Sequence, residues 1–415
     1  LLLLVIFIGD IACDRQLLKA SQKKGGYDFS QVFSKVKDIF IQSDFVVGNF
    51  ETVCGGSNNN YQEQYMTCNA PDELVQAMKD AGISMVTTAN NHCLDKGIKG
   101  LRRTIKCLNK NEIEYVGTNL DSEHVIRIKM KTISDVRIAF LAYTYSTNES
   151  NTGIVLNENN DYFVNLLRKQ GRVDNPELKG QFNIKKYFTG KLSSKQKRTL
   201  TRIIARTKLK LGIPYMKPRT DKIEYGDTNN NYIKLVKNDI VEAKKIADIV
   251  VACPHFGGQF NTVPGEYAEF LMNYLKLAGC DIVIGNHPHV VQKIKMDDKK
   301  MFAYSLGSFN QSISADYMVA ESKPEYSIMI HCYINGKSKK IQKISFSILK
   351  IVEDKEGMIT VWPVDKLYRE LSTEEKKLLI SDINEIYQRC TSNPLEKIDS
   401  EFSLYCEDEN GKEII

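Results

Sequence analysis

None of the ten cysteines (Cys13, Cys54, Cys68, Cys93, Cys107, Cys253, Cys280, Cys332, Cys390 and Cys406) is spaced C-x-x-C from another. That pattern argues against a zinc knuckle and a thioredoxin-like redox motif. Two readings of the thiols stay open: ten free thiols in a reducing compartment, or a bridge such as Cys54 to Cys68. No stretch is long and apolar enough to cross a bilayer, and the run Leu1 to Ile8 is too short to do so. It is followed at once by Gly9-Asp10, with no cleavage-site pattern, so it reads as a buried first strand rather than a signal-peptide remnant. There is no initiating Met, so membrane association through a segment upstream of Leu1 remains open. Free thiols favour the cytoplasm; the alternative is a membrane-anchored extracellular protein.

Charge of either sign is not in large excess, since the formal total is +6. Its distribution is uneven. Between Asp161 and Thr220 sixteen Lys or Arg face three acids, so this block carries +13 and the rest of the chain nets −7. Such a block is expected to contact a polyanion or to be a solvated insert. Nucleic acid is not expected, because no recognised binding motif accompanies the charge.

Hydrophobic patterning sets the fold class. Leu1 to Ile8 and Phe45 to Gly48 read as strands, with a helix from Tyr27 to Phe40 between them. Pro71 suits a helix start, Asp72 and Glu73 suit its first turn, and Gly82 suits its left-handed cap. Met85 to Ala89 is the next strand, Leu101, Ile105 and Leu108 mark a helix, and Ile138 to Ala142 is a strand. After the basic block, in which Leu200, Ile203 and Ile204 fit a cationic helix, the alternation resumes. A helix spans Ile233 to Ala247, strands span Ile249 to Cys253 and Ile282 to Ile284, and a helix through Tyr267 and Ala278 is capped by Gly279. Strands alternating with helices predict parallel β-α-β units. From Met301 the period becomes two. Ser327 to Ile334, Lys343 to Val352 and Met358 to Trp362, with turns at Asn335-Gly336 and Glu356-Gly357, predict an antiparallel meander. A helix opened by a Ser372/Glu375 capping box and an acidic tail come last.

Four of the six histidines (His92, His255, His287 and His289) fall just after predicted strands, where α/β folds place ligands. His124 and His331 read as ordinary surface or core residues. Asp10, Glu51 and Asn91 stand at the ends of the first three strands. An echo joins the two halves: Lys79-Asp80-Ala81-Gly82 leads through a strand to Asn91-His92, and Lys276-Leu277-Ala278-Gly279 leads to Asn286-His287. Imidazole, carboxylate and carboxamide without thiolate suit one or two divalent transition-metal ions (Mn, Fe, Zn or Ni) better than Mg or Ca. Two neighbouring cations serve in-line phosphoryl displacement.

The stretches Ile8-Gly9-Asp10, Gly48-Asn49-Phe50-Glu51, Ala89-Asn90-Asn91-His92-Cys93-Leu94-Asp95-Lys96-Gly97, His255-Phe256-Gly257, Gly285-Asn286-His287-Pro288-His289 and Tyr304-Ser305-Leu306-Gly307 resemble the CapA family. These are poly-γ-glutamate capsule biosynthesis proteins, which in turn are similar to calcineurin-like metallophosphoesterases. The stretches run in family order over roughly residues 5 to 310. The resemblance implies a four-layer α/β/β/α sandwich. It implies Asp10 and His289 on one metal, Asn91, His255 and His287 on a second, and Glu51 bridging. It makes His92 the acid that protonates the leaving oxygen, the plainer alternative being a supporting hydrogen bond. Asn90, Asp95 and Ser308 are expected at the substrate. The chain departs from the phosphoesterase pattern at Ala12, where D-x-H has His, and at Glu51, where Asp is usual. It departs from the CapA family's own G-N-F at Ser308.

The expected organisation is a core domain over residues 1–150 and 230–366, a basic insertion over 151–229 and a C-terminal helical extension over 367–415. Two functions fit. One is a metal-dependent hydrolase or transferase linked to capsule or poly-γ-glutamate biosynthesis, acting on a phosphoester or γ-linked peptide. The other is a non-enzymatic accessory subunit that binds an anionic polymer or the polymer-synthesis machinery.

Overall fold

The computed structural model describes residues 2–59, 61, 68–171, 200, 203–204, 206–208, 210–211, 221–224, 226–315, 317–407 and 414. Most of the basic block, including Lys195, Lys197, Arg198 and Arg202, lies outside these. Leu200, Ile203 and Ile204 lie on helical backbone with exposed side chains.

The strands are β1 (Leu2–Ile11), β2 (Gln22–Lys23), β3 (Gly26–Tyr27), β4 (Phe45–Phe50), β5 (Met85–Thr87), β6 (Glu114–Val116), β7 (Lys129–Ile133), β8 (Val136–Thr144), β9 (Ile249–His255), β10 (Ile282–Ile284), β11 (Ile294–Asp297), β12 (Lys300–Ala303), β13 (Tyr326–Asn335), β14 (Lys340–Glu353), β15 (Ile359–Pro363) and β16 (Phe402–Cys406). They form two large sheets, ordered β15-β14-β13-β1-β4-β5-β6, with β16 beside β14, and β11-β12-β10-β9-β8-β7; β2 and β3 make a small separate hairpin. Strands β1, β4, β5 and β6 are mutually parallel, as are β8, β9, β10 and β12. The meander β13-β14-β15 is antiparallel, as its turn residues predict.

Period-two alternation decides the layers. On β1, Leu3, Val5 and Phe7 share one core with Ile138, Phe140 and Ala142 of β8 and with Ile249 and Val251 of β9. That core lies between the sheets. The alternate residues Ile6 and Ile8 face outward and pack with Leu17, Val32, Phe33, Leu74 and Met78 from helices on the first sheet. Ala139, Leu141, Val250 and Ala252 face outward from the second sheet and pack with Ile233, Ile240, Tyr267 and Leu271. The result is the expected four-layer α/β/β/α sandwich.

The helices Asp72–Ala81 and Glu266–Ala278 end as read, on left-handed Gly82 and Gly279. The helix Thr373–Thr391 carries the Ser372/Glu375 capping box. Two local expectations change. The helix expected from Tyr27 to Phe40 is two short ones, Ser30–Phe33 and Lys37–Gln42, preceded by β3. At the break the Ser34 hydroxyl donates to the Gln31 carbonyl at 2.9 Å, the local competition that weakens helices at serine. The acidic tail also contains β16, which pairs antiparallel with β14 because Phe402 and Tyr405 reach the core. All ten cysteines are free, and no helix among the described residues is long and apolar enough to cross a membrane.

Candidate metal centre

Every parallel strand that carries a candidate ligand delivers it at its carboxyl end, so both sheets point their chemistry at one edge. Asp10 comes from β1, Glu51 follows β4, Asn91 follows β5, His255 ends β9, and His287 and His289 follow β10. All six are buried. Close approach of chain to chain helps fix this edge. The Asp10 N–H donates to the Gly307 carbonyl at 3.1 Å, and a Cβ on Gly9 would sit 1.9 Å from that same oxygen, so position 9 accepts only glycine.

The donors converge in two groups. His255 Nε2 lies 2.8 Å from Asn91 Oδ1, 3.0 Å from His287 Nδ1 and 3.4 Å from Glu51 Oε1. His289 Nδ1 lies 3.1 Å from Asp10 Oδ2 and 3.6 Å from Glu51 Oε2. In each trio (Glu51, His255 and His287; Asp10, Glu51 and His289) the ligand atoms lie within 4.8 Å of one another. Glu51 thus stands between the groups, one oxygen toward each. His287 and His289 hold left-handed backbone, with φ of 102° and 59°, on either side of Pro288. Non-glycine residues adopt this region at a cost that the surroundings must offset, and such positions cluster at functional sites.

Electrostatics make the cluster a cation site in waiting. Both Glu51 oxygens are buried without a hydrogen-bond partner, and burial pushes its carboxyl up to about 8. Burial also holds His255 down to about 3 and His287 well below the imidazole range. Burial works against the charge of Asp10 as well, but the His289 and His255 rings and the Asn49 amide hold its carboxyl below the usual value. The chain therefore presents neutral imidazoles, an amide oxygen and a carboxylate with no internal partner. This donor set fits divalent transition metals, which would take the place of the Glu51 proton.

His92 does not join either group. Its Nδ1 is 2.6 Å from Asp95 Oδ2, and the ring is 12% exposed, at the rim. Burial disfavours the imidazolium, but Cys68 and Asp95 beside it hold its pKa well above the usual value. Asn90 is wholly buried, donating to the Phe50 carbonyl at 2.8 Å and accepting the His92 N–H at 3.1 Å, so it braces the loop. Ser308 lies alongside Asp10, but its hydroxyl donates to Gln311 at 2.7 Å. The two copies of the echo differ by one place: the first contributes its Asn, the second its His.

Three contributors escape sequence reasoning. Asn49 donates to Asp10 at 2.7 Å and lies 3.2 Å from His255 Nδ1. Its signal was a second polar residue in a buried strand end. Tyr145 places its hydroxyl 2.9 Å from His287 Nε2, and Cys68 flanks His92 and Asp95. These two carried no local signal, because their partners are distant in sequence.

Fold and site together define an α/β/β/α sandwich that gathers nitrogen and oxygen donors, in groups that could hold metal ions, at the carboxyl edge of both sheets. The family model for the bacterial capsule synthesis protein PGA_cap matches residues 4–312, and the chain belongs to that family. It is similar to the capsule biosynthesis protein CapA of Bacillus anthracis, with 28% identity over 74% of this chain and 59% of that protein. It is also similar to the PGA biosynthesis protein CapA of Bacillus subtilis (strain 168), with 26% identity over 73% of this chain and 62% of that one. The chain therefore spans about three-fifths of the length of these relatives. Among solved structures, a phosphatase from Mycoplasma pneumoniae aligns at 12% identity and a TM-score of 0.43, over 84% of this chain and 94% of its own. A putative 5'-nucleotidase from Staphylococcus aureus aligns at 12% identity and a TM-score of 0.41, over 93% of this chain and 58% of its own.

Proposed function

We propose that this chain is a metal-dependent hydrolase or transferase of the CapA type, serving capsule or poly-γ-glutamate biosynthesis and acting on a phosphoester or a γ-linked peptide. The observation that carries this is Glu51, a buried carboxylate with neither oxygen hydrogen-bonded, set between two groups of donors. Asp10 and His289 would hold one cation, Asn91, His255 and His287 the other, with Glu51 shared. A bound divalent cation supplies Lewis-acid polarisation at the reacting bond.

The remaining work falls to the chain's own groups. His92, next in sequence to Asn91 and aligned by Asp95, holds a proton at the rim where a leaving oxygen would depart, and gives it up as that oxygen gains charge. Asn49 keeps the Asp10 carboxylate turned to the cluster. The basic block between Asp161 and Thr220 supplies positive charge for an anionic polymer; neutralising Lys195, Lys197, Arg198 and Arg202 should weaken binding to polyglutamate and flatten its salt dependence.

The test is elemental analysis of the purified chain, followed by a screen of phosphomonoester, phosphodiester and γ-glutamyl substrates with and without chelator. Turnover that needs metal is expected on one of these classes. Ala12, which leaves the Asp10 group one ligand short, favours the accessory-subunit function instead. That function replaces the enzyme if a fully metal-loaded chain turns over none of the three classes.

A further inference from the structure

The segment that opens the basic insertion reaches the donor cluster. Residues 163–167 cross from one sheet to the other. The Asn165 N–H donates to the Gly117 carbonyl beyond β6, and the Thr144 N–H at the end of β8 donates to the Asn165 carbonyl, both at 2.9 Å. The Leu167 N–H returns to the Thr144 carbonyl at 2.8 Å. Phe163, Val164 and Leu166 enter the core between the sheets. A solvated appendage would make none of these contacts.

The next residue is Arg168, which is 8% exposed. Its Nε donates to the Tyr145 carbonyl at 3.2 Å, and Gln170 donates to the same oxygen at 3.3 Å. The Arg168 guanidinium lies 5.1 Å from the centre of the Tyr145 ring and 5.3 Å from that of Tyr267. Its Nη1 is 3.6 Å from Asp227 Oδ2, so the insertion's closing segment also meets it. Tyr145 is thereby held at its backbone and across its face. Its hydroxyl meets His287 Nε2 at 2.9 Å, while His287 Nδ1 is the ring nitrogen that faces His255 and the other donors.

We infer that Tyr145 is a positioning residue for His287, and that Arg168, carried in by the insertion, holds Tyr145 in place. The phenol oxygen accepts the Nε2 hydrogen of His287. That fixes the tautomer in which Nδ1 keeps its lone pair toward the cluster, and it fixes the ring's rotation. Partners behind a ligating histidine commonly change metal affinity 10- to 100-fold. The insertion is thus a strap across the carboxyl edge as well as a carrier of charge. This inference rests on metal binding at His287, as proposed above.

The test is competition between a chromophoric chelator and four metal-free proteins for Zn(II) and for Mn(II). The proteins are the wild type, Tyr145→Phe, Arg168→Lys and the double variant. Tyr145→Phe keeps the ring and loses only the acceptor. It should bind the tightest metal about 10- to 100-fold more weakly, with the metal-free protein still folded. Arg168→Lys should weaken binding less. The double variant should be no weaker than Tyr145→Phe, because the two residues act in series. If the lysine variant fails to fold, Tyr145→Phe alone decides. Affinity within about twofold of wild type in Tyr145→Phe, or multiplying losses in the double variant, overturns the inference while metal binding stands. A wild type that binds no metal overturns the proposed function and this inference together.

Discussion

Around Glu51 Oε1 stand His255, with Asn91 and His287 behind it; toward Oε2 stand His289 and Asp10. The first group is made of neutral donors and is braced by Tyr145. The second owes its attraction to the charge of Asp10, steadied by Asn49. At Ala12, where the phosphoesterases that the chain resembles carry the His of D-x-H, the N–H is bonded to Asn310 Oδ1 at 2.8 Å. A cation in the first group relies on Glu51 alone for charge balance, so borderline-soft ions such as Zn or Fe suit it. The carboxylate-rich second group suits harder ions such as Mn. In the proposed centre one shared residue thus joins a well-furnished group to a sparse one, and the sparse one should bind more weakly.

Glu51→Ala should do the greatest damage, since it removes the ligand common to both groups. Elemental analysis should find both metals near background; one full equivalent retained would show that the groups bind independently. His92→Ala should instead leave metal content intact and lower turnover on the order of a hundred-fold. Loss of metal in that variant would make His92 a ligand. Ala12→His should narrow the contrast between the groups, tightening the weaker metal by roughly tenfold in chelator competition.

The smallest effect concerns a histidine away from the edge. Burial holds His331 down to about 4 from an ordinary value of 6.5, against the nearby Glu401. The unfolded chain takes up this proton where the folded chain refuses it. The contribution is therefore complete above pH 6.5 and is lost as pH falls toward 4, by at most about 1.4 kcal/mol per pH unit. His331→Gln should lose less stability between pH 7 and pH 5 than wild type in urea melts.

The edge that gathers the candidate donors was legible because its residues are polar, dense and placed directly after apolar runs, as in Gly48-Asn49-Phe50-Glu51. The four layers were implied by the family resemblance, and the folded chain shows which residues of β1 and β8 face which core. Where a local bond competed with periodicity, the sequence misled: Phe29, Val32, Phe33, Val36 and Phe40 have helical spacing, yet the Ser34 hydroxyl interrupts the helix. β16 was hidden in an acidic segment whose partner, β14, lies more than fifty residues earlier in the chain. Tyr145 and His287 are 142 residues apart, and nothing in the neighbourhood of either announces the other. Residues that touch ligands leave local patterns, whereas residues that hold those ligands do so through contacts visible only once the chain is folded.

The position of β1 has a consequence for how the chain is made. β1 lies between β4, which follows it closely, and β13, which pairs with it from residues 330–335. As the ribosome extends the chain, one side of β1 is covered early and the other stays bare until β13 follows the whole of the second sheet. That bare side belongs to an apolar strand and offers unpaired backbone groups to any neighbouring chain. The strand that carries Asp10 thus precedes the other strands of the two sheets, yet it is completed only when β13 arrives. Nascent chains arrested short of residue 326 should need a chaperone to stay dispersed, and arrest beyond residue 335 should relieve that need.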